Sequence, residues 1–255
     1  MNTSPAEQTP SPDPEQIALA RDTSLPKSSS PEAGIAVRSP THWQHLLDSL
    51  AFAFSAILSP YLVIPVGTVG IVATQASGRR AFVLWTFLSV FFSTIVPALY
   101  VVIQIMRGKI SDVHVMEREQ RGGPFLIAVI SVAIGAFVLK MIGAPAVVWG
   151  IGLVLLVNGL VLSWITNFWK ISMHVSVLTS VVIASIILIP DVGFWRLVWM
   201  IPALMWARAM RGRHSPWQGV AGCLVSGALT FGVFAAVQLW PMVEGAVHRV
   251  LTRGH

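Results

Sequence analysis

Cysteine is nearly absent from this chain. The one present, Cys223, sits inside an apolar run, so no intrachain disulfide can form and the thiol reads as inert packing. Charge is scarce too. Only 11% of the residues are Asp, Glu, Lys or Arg, where a soluble domain carries roughly a quarter. A chain this apolar cannot cover itself with polar surface, which excludes a large water-soluble core. Acidic residues are the scarcer sign, leaving a net charge of +6. The basic excess lies beside apolar runs, so it points to membrane lipids or a phosphorylated substrate as partners and not to nucleic acid. Several enzyme signatures are missing: there is no Gly-x-Ser-x-Gly, no His-Glu-x-x-His and no Asp-rich prenyl-diphosphate motif. Gly150-Ile151-Gly152 lies within an apolar run and reads as packing, not as a nucleotide loop. No ligand spacing suggests a metal, and there is no internal repeat.

What is present divides the chain in two. Residues 1–42 are rich in Ser, Pro, Glu and Thr, and cannot bury enough apolar area to offset their ordering entropy; a disordered polar tail is expected there. It lacks the basic start and apolar core of a signal peptide. Residues 43–255 read as a transmembrane domain. A span needs about twenty apolar residues, and seven runs approach that: Ala51–Thr74, Ala81–Met106, Phe125–Ile142, Ala144–Ile165, Val175–Pro190, Phe194–Met210 and Val220–Trp240. The third, fifth and sixth are short. Ser77 to Arg80, Gly143 to Pro145 and Pro190 to Gly193 are the turns. Pro60, Pro65, Pro97 and Pro202 fall inside runs, as helices in lipid tolerate. Tryptophans gather near run ends, as an interfacial belt does. The expected fold is an all-α polytopic membrane bundle of about six to seven transmembrane helices. Asn158, a rare polar group deep in a run, is expected to bond a neighbouring helix.

Three polar clusters stand where the chain leaves an apolar run: His114 to Arg121, Ser172 to His174, and Arg208 to His214. Two runs separate each from the next, so all three are expected on one face of the membrane, together with the tail. The positive-inside rule leans toward that face being cytoplasmic. Each cluster has a bland reading: a solvated connector, a helix cap with an interface anchor, and arginines on lipid headgroups, the last proposed for Arg211 and Arg213. Each also has a chemical one. Arg121 offers a planar fork suited to phosphate oxygens. Ser172 and His174 open a helix whose free amides suit an anion, and a histidine can donate a proton near neutrality. Arg208 is ionisable within an apolar run, which marks a candidate site. His214 and Gln218, four residues apart, share a helix face.

These residues resemble the integral-membrane type 2 phosphatidic acid phosphatase family, relatives of the vanadium haloperoxidases. That family carries Lys-x6-Arg-Pro, Pro-Ser-Gly-His and Ser-Arg-x5-His-x3-Asp. This chain reads His114-x6-Arg121-Gly122, then Ile171-Ser172-Met173-His174, then Ala207-Arg208-x5-His214-x3-Gln218. The resemblance covers roughly Lys109 to Gly222. It implies a lipid phosphatase, without metal or cofactor, in a plasma or inner membrane. His214 would be the nucleophile that forms a phosphohistidine and His174 the acid on the leaving alkoxide. His114, Arg121, Ser172 and Arg208 would hold the phosphoryl group. The departures are His114 for Lys, Gly122 for Pro, Met173 for Gly, Ala207 for Ser and, most consequentially, Gln218 for the carboxylate that orients the nucleophile. Asp112 or Glu117 are candidates to supply that missing charge. The alternative is a weak or inactive relative that binds anionic lipid or a phosphorylated ligand.

Overall fold

The computed structural model describes residues 42–109, 122–189 and 193–253. Of the expected tail only His42 falls among them, and it opens the first helix. Among the described residues there is no strand; the molecule is a helical membrane bundle. Helix α1 is His42–Ile57 and α2 is Pro60–Gln75. They form one apolar run in sequence, yet Leu58 and Ser59 break it, Pro60 starts the second helix, and the two axes differ by 50°. Proline lacks the N–H that would continue the ladder and is suited to a first turn.

Helix α3, Arg79–Met106, is a single apolar rod carrying a π turn at Phe91–Ile95. Pro97 explains the turn. In the wider register Val96 N–H reaches Phe91 O, and the carbonyl that Pro97 would have served is that of Phe92. Ser131 Oγ of the next helix donates to Phe92 O at 2.6 Å, so the orphaned acceptor is paid from a neighbour. That neighbour is α4, Gly122–Met141. A tight turn with Gly143 at φ +77° leads to α5, Ala146–Thr166.

Helix α6, Met173–Leu188, is the centre of the bundle. Ten of its residues, Val175, Ser176, Leu178, Thr179, Ser180, Val182, Ala184, Ser185, Ile187 and Leu188, are buried. Around it pack α2, α5, α8 (Met200–Met210), α9 (Pro216–Ala236) and α10 (Trp240–Arg253). The short α7, Phe194–Val198, precedes α8. The main apolar core joins Ile71, Ile151, Ala184, Ile187 and Phe234 from four of these helices. Helices α6 and α9 meet closely because Gly222 has no side chain: a Cβ there would sit 2.7 Å from Ser176 Oγ and 3.0 Å from Ser172 O. Arg249 of α10 donates to Ile186 O and Ile187 O at 3.5 and 3.2 Å, satisfying carbonyls at the end of α6.

Two expectations change. Among the described residues four helices (α3, α4, α5 and α9) are long and apolar enough to cross a membrane, and five if the bent α1–α2 pair counts as one span, against the six to seven expected. The fifth run makes only the sixteen residues of α6, about 24 Å of helix against a hydrocarbon thickness of about 30 Å. The sixth run splits at Trp199 into α7 and α8. Helix α6 is packed among neighbouring helices, with ten of its sixteen residues buried. Asn158 also departs from expectation: its Nδ2 bonds Val154 O of its own helix at 2.9 Å. Trp43, Trp164, Trp217 and Trp240, near helix ends, are exposed as a belt requires.

Candidate functional site

A cavity of about 250 Å³ opens where α2, α4 and α6 begin and α8 finishes, beside the second half of α3. One part of the lining is apolar, from Tyr61 and Ile64 of α2, Pro97 and Val101 of α3, and Phe125 and Ala128 of α4. The other is basic: Lys170 before α6, His174 in its first turn, Arg208 near the end of α8, and Arg213 and His214 just beyond it. No Asp or Glu is among the described residues that line it. Basic side chains and two imidazoles beside apolar residues have the chemistry that suits an amphiphilic anion.

Local backbone chemistry explains how Arg208 and His214 come to the same place. Gly212 follows α8 with φ +60°, a conformation costly for any side chain with a Cβ. The chain then folds back so that Arg213 N–H and His214 N–H both approach Arg208 O, at 3.0 and 3.4 Å. Ser215 caps α9 immediately afterwards. Arg208 itself is 6% exposed, and its Nη1 donates to Ser55 Oγ of α1 at 3.0 Å. A guanidinium stays charged at any physiological pH, so this is a buried cation facing a cavity.

Gln218 has two tasks. It closes a capping box with Ser215, its N–H reaching Ser215 Oγ at 3.4 Å while its Oε1 takes the Ser215 N–H at 3.1 Å. The same Oε1 lies 3.0 Å from His214 Nδ1. A backbone N–H can only donate, so the Gln218 atom it meets must be the oxygen. His214 Nδ1 therefore carries the hydrogen, and in the neutral ring Nε2 holds the lone pair.

Of the residues picked out in the sequence, His174, Arg208 and His214 line the cavity. Gln218 stands behind His214. Ser172 is fully buried and is not part of the lining; its N–H reaches Gln218 O at 3.3 Å, and its Oγ has no partner among the described residues. It ties the start of α6 to α9. His114 and Arg121 lie outside the described residues, as do Asp112 and Glu117. Pro124 and Phe125, shortly after Arg121 in the chain, do line the cavity. The sequence reading set Arg213 on lipid headgroups, but it lines the cavity, while Arg211 lies 4.9 Å over the Phe52 ring. It missed Ser55, whose only signal was a small hydroxyl within an apolar run. It also missed the apolar part of the lining, which three separate helices assemble. Among the described residues no group of His, Cys, Asp or Glu is arranged to hold a metal ion.

Comparison with family models, with curated proteins and with solved structures finds no match to this chain. The fold and site together define a polytopic helical membrane protein with a basic, half-apolar cavity at one end of its bundle.

Proposed function

We propose that this protein is a membrane-embedded phosphatase acting on a phosphate or diphosphate monoester of a lipid, of phosphatidate or polyprenyl type. The observation that carries the reading is the convergence of His174, Arg208 and His214, drawn from distant parts of the chain, on one cavity that apolar residues of α2, α3 and α4 also line. An ester with a charged head and a greasy tail matches both parts of the lining. Such a substrate suits a plasma or inner membrane, where it is at hand.

The chemistry follows from the hydrogen bonds. His214 Nε2 attacks phosphorus, and the bond from phosphorus to the lipid oxygen breaks. Protonated His174 gives its proton to the departing alkoxide, releasing the lipid alcohol. Neutral His174 then takes a proton from water as the water oxygen attacks the phosphohistidine. The phosphorus–nitrogen bond breaks, and inorganic phosphate leaves. Arg208, Lys170 and Arg213 offset charge on the phosphoryl oxygens throughout. Gln218 Oε1 keeps the proton on Nδ1, so that Nε2 is the nucleophilic nitrogen.

One observation favours a second reading. Gln218 brings no charge to stabilise the histidine cation that forms on attack, so a binding protein for phosphorylated lipid, with slow turnover or none, fits the same cavity. Phosphate release from phosphatidate and polyprenyl phosphates by the purified protein in detergent separates the two. The enzyme reading expects His214→Ala to fall to background and His174→Ala to lose about 10²–10⁴-fold. Equal release by wild type and His214→Ala would falsify it. Tight binding of these lipids without release supports the second reading.

A further inference from the structure

Helix α10 lies at the end of the bundle away from the cavity: α6 begins at the cavity, and Arg249 of α10 donates to Ile186 O and Ile187 O where α6 ends. Leu239 N–H reaches Phe234 O at 2.8 Å and Gln238 takes φ +60°, so α9 stops and the chain sets off in a new direction. The 14 residues of α10 make about 21 Å of helix. That is too short for a hydrocarbon layer of about 30 Å, and Glu244 and His248 stand within it. Helix α10 is not a span.

At about 100° per residue, the helix presents four sides, each with its own chemistry. Val243 and Ala246 are buried and join the core with Ile71, Val147, Ile187 and Phe234, which lie near the ends of α2, α6 and α9 and the start of α5. Glu244, His248 and Thr252 are exposed on the side opposite that core face. Arg249 reaches to α6, the centre of the bundle. Trp240, Val247 and Leu251 share the remaining side, about half a turn round from Arg249, and all three are exposed. A side turned away from the central helix is turned toward the rim of the bundle, where lipid lies.

We propose that α10 is an interfacial helix whose Trp240, Val247 and Leu251 stripe sinks among the acyl chains of one leaflet, at the end of the bundle opposite the cavity. Its core face rests on the bundle, its polar face meets water and its stripe enters the lipid, the three contacts that hold an amphipathic helix in the interface plane. Continuity with the lipid-facing surface names the occupant. Helix α9, long and apolar enough to cross a membrane, exposes Leu224 and Phe231 and leads directly into α10. Trp240 follows at the level where indole rings prefer to sit. This anchor does not depend on what the cavity binds.

The test uses full-length protein in a Cys223→Ser background, labelled in detergent and then placed in phosphatidylcholine vesicles. An environment-sensitive fluorophore is carried at Val247→Cys, Leu251→Cys or Thr252→Cys, all exposed positions. Lipid with a spin label on the upper acyl chain is expected to quench the Val247 and Leu251 probes about twofold and the Thr252 probe little, and iodide equilibrated on both sides of the bilayer to do the reverse. A stripe as open to iodide as Thr252 overturns the proposal. So does a stripe shielded from both quenchers, the result expected where a second copy of the chain covers it. Quenching by both agents at all three positions overturns it too, since α10 would then not rest on the bundle.

Discussion

Gln218 shows how one side chain can serve structure and chemistry through a single atom. Its Oε1 accepts from the Ser215 backbone and from His214 Nδ1 together. Replacing it with Asp adds the charge that would stabilise a histidine cation. In serine proteases the reverse exchange, Asp to Asn, costs about 10⁴ in rate. We therefore expect Gln218→Asp to raise kcat for lipid phosphate, with the start of α9 little changed in thermal unfolding; no gain would show that Gln218 is not where the carboxylate is missed. At this scale the sequence was informative about the two histidines and Arg208, because ionisable groups beside apolar runs are few and stand out. It was silent about Ser55, because a small hydroxyl in an apolar helix has many ordinary uses, and only the fold reveals an arginine opposite it.

Elements bring those side chains within reach. The Gly212 reversal at the end of α8 places His214 beside Arg208, and its φ of +60° is the condition for it. Gly212→Val should strain this turn by about 1–2 kcal/mol, lower the melting temperature and cut activity by displacing His214. Gly212→Asn, which tolerates the left-handed conformation, should cost far less. Thermal unfolding and turnover of the two variants, side by side, check this. Turn and proline positions were readable because they follow from backbone sterics. Pro60 and Pro97 were both read as tolerated kinks, yet one starts a new helix at a 50° bend and the other provokes a π turn relieved by Ser131. Which outcome occurs depends on whether a neighbouring helix offers a donor to the freed carbonyl, and that is not a local property.

The whole molecule gathers basic side chains at one end of the bundle. Helices α2 and α6 begin at the cavity and run parallel, with Thr74 Oγ1 near the far end of α2 reaching Leu188 O at the end of α6. The loops beside Lys170 and Arg211 therefore lie at one end of the bundle, and the loop at Ser77 lies at the other. In a Cys223→Ser background, cysteines placed at Lys170 and Arg211 should react with an impermeant maleimide from the same side of a proteoliposome, and one at Ser77 from the opposite side. Labelling of Lys170 and Arg211 from opposite sides would break the common site.

Composition and hydropathy by themselves determined that this is a helical membrane protein with basic polar clusters at its boundaries, since those follow from how much apolar area a chain must hide and where it cannot hide charge. Spacing alone marked His174, Arg208, His214 and Gln218. Only the tertiary structure decided which helices are long enough to cross and which are sheltered within the bundle. It alone placed Arg213 in the cavity, Ser172 outside its lining and Ser55 of α1 against Arg208. The reason is physical: pattern reports the preference of each residue for water or oil, whereas a site is a set of distances between groups that the chain holds far apart.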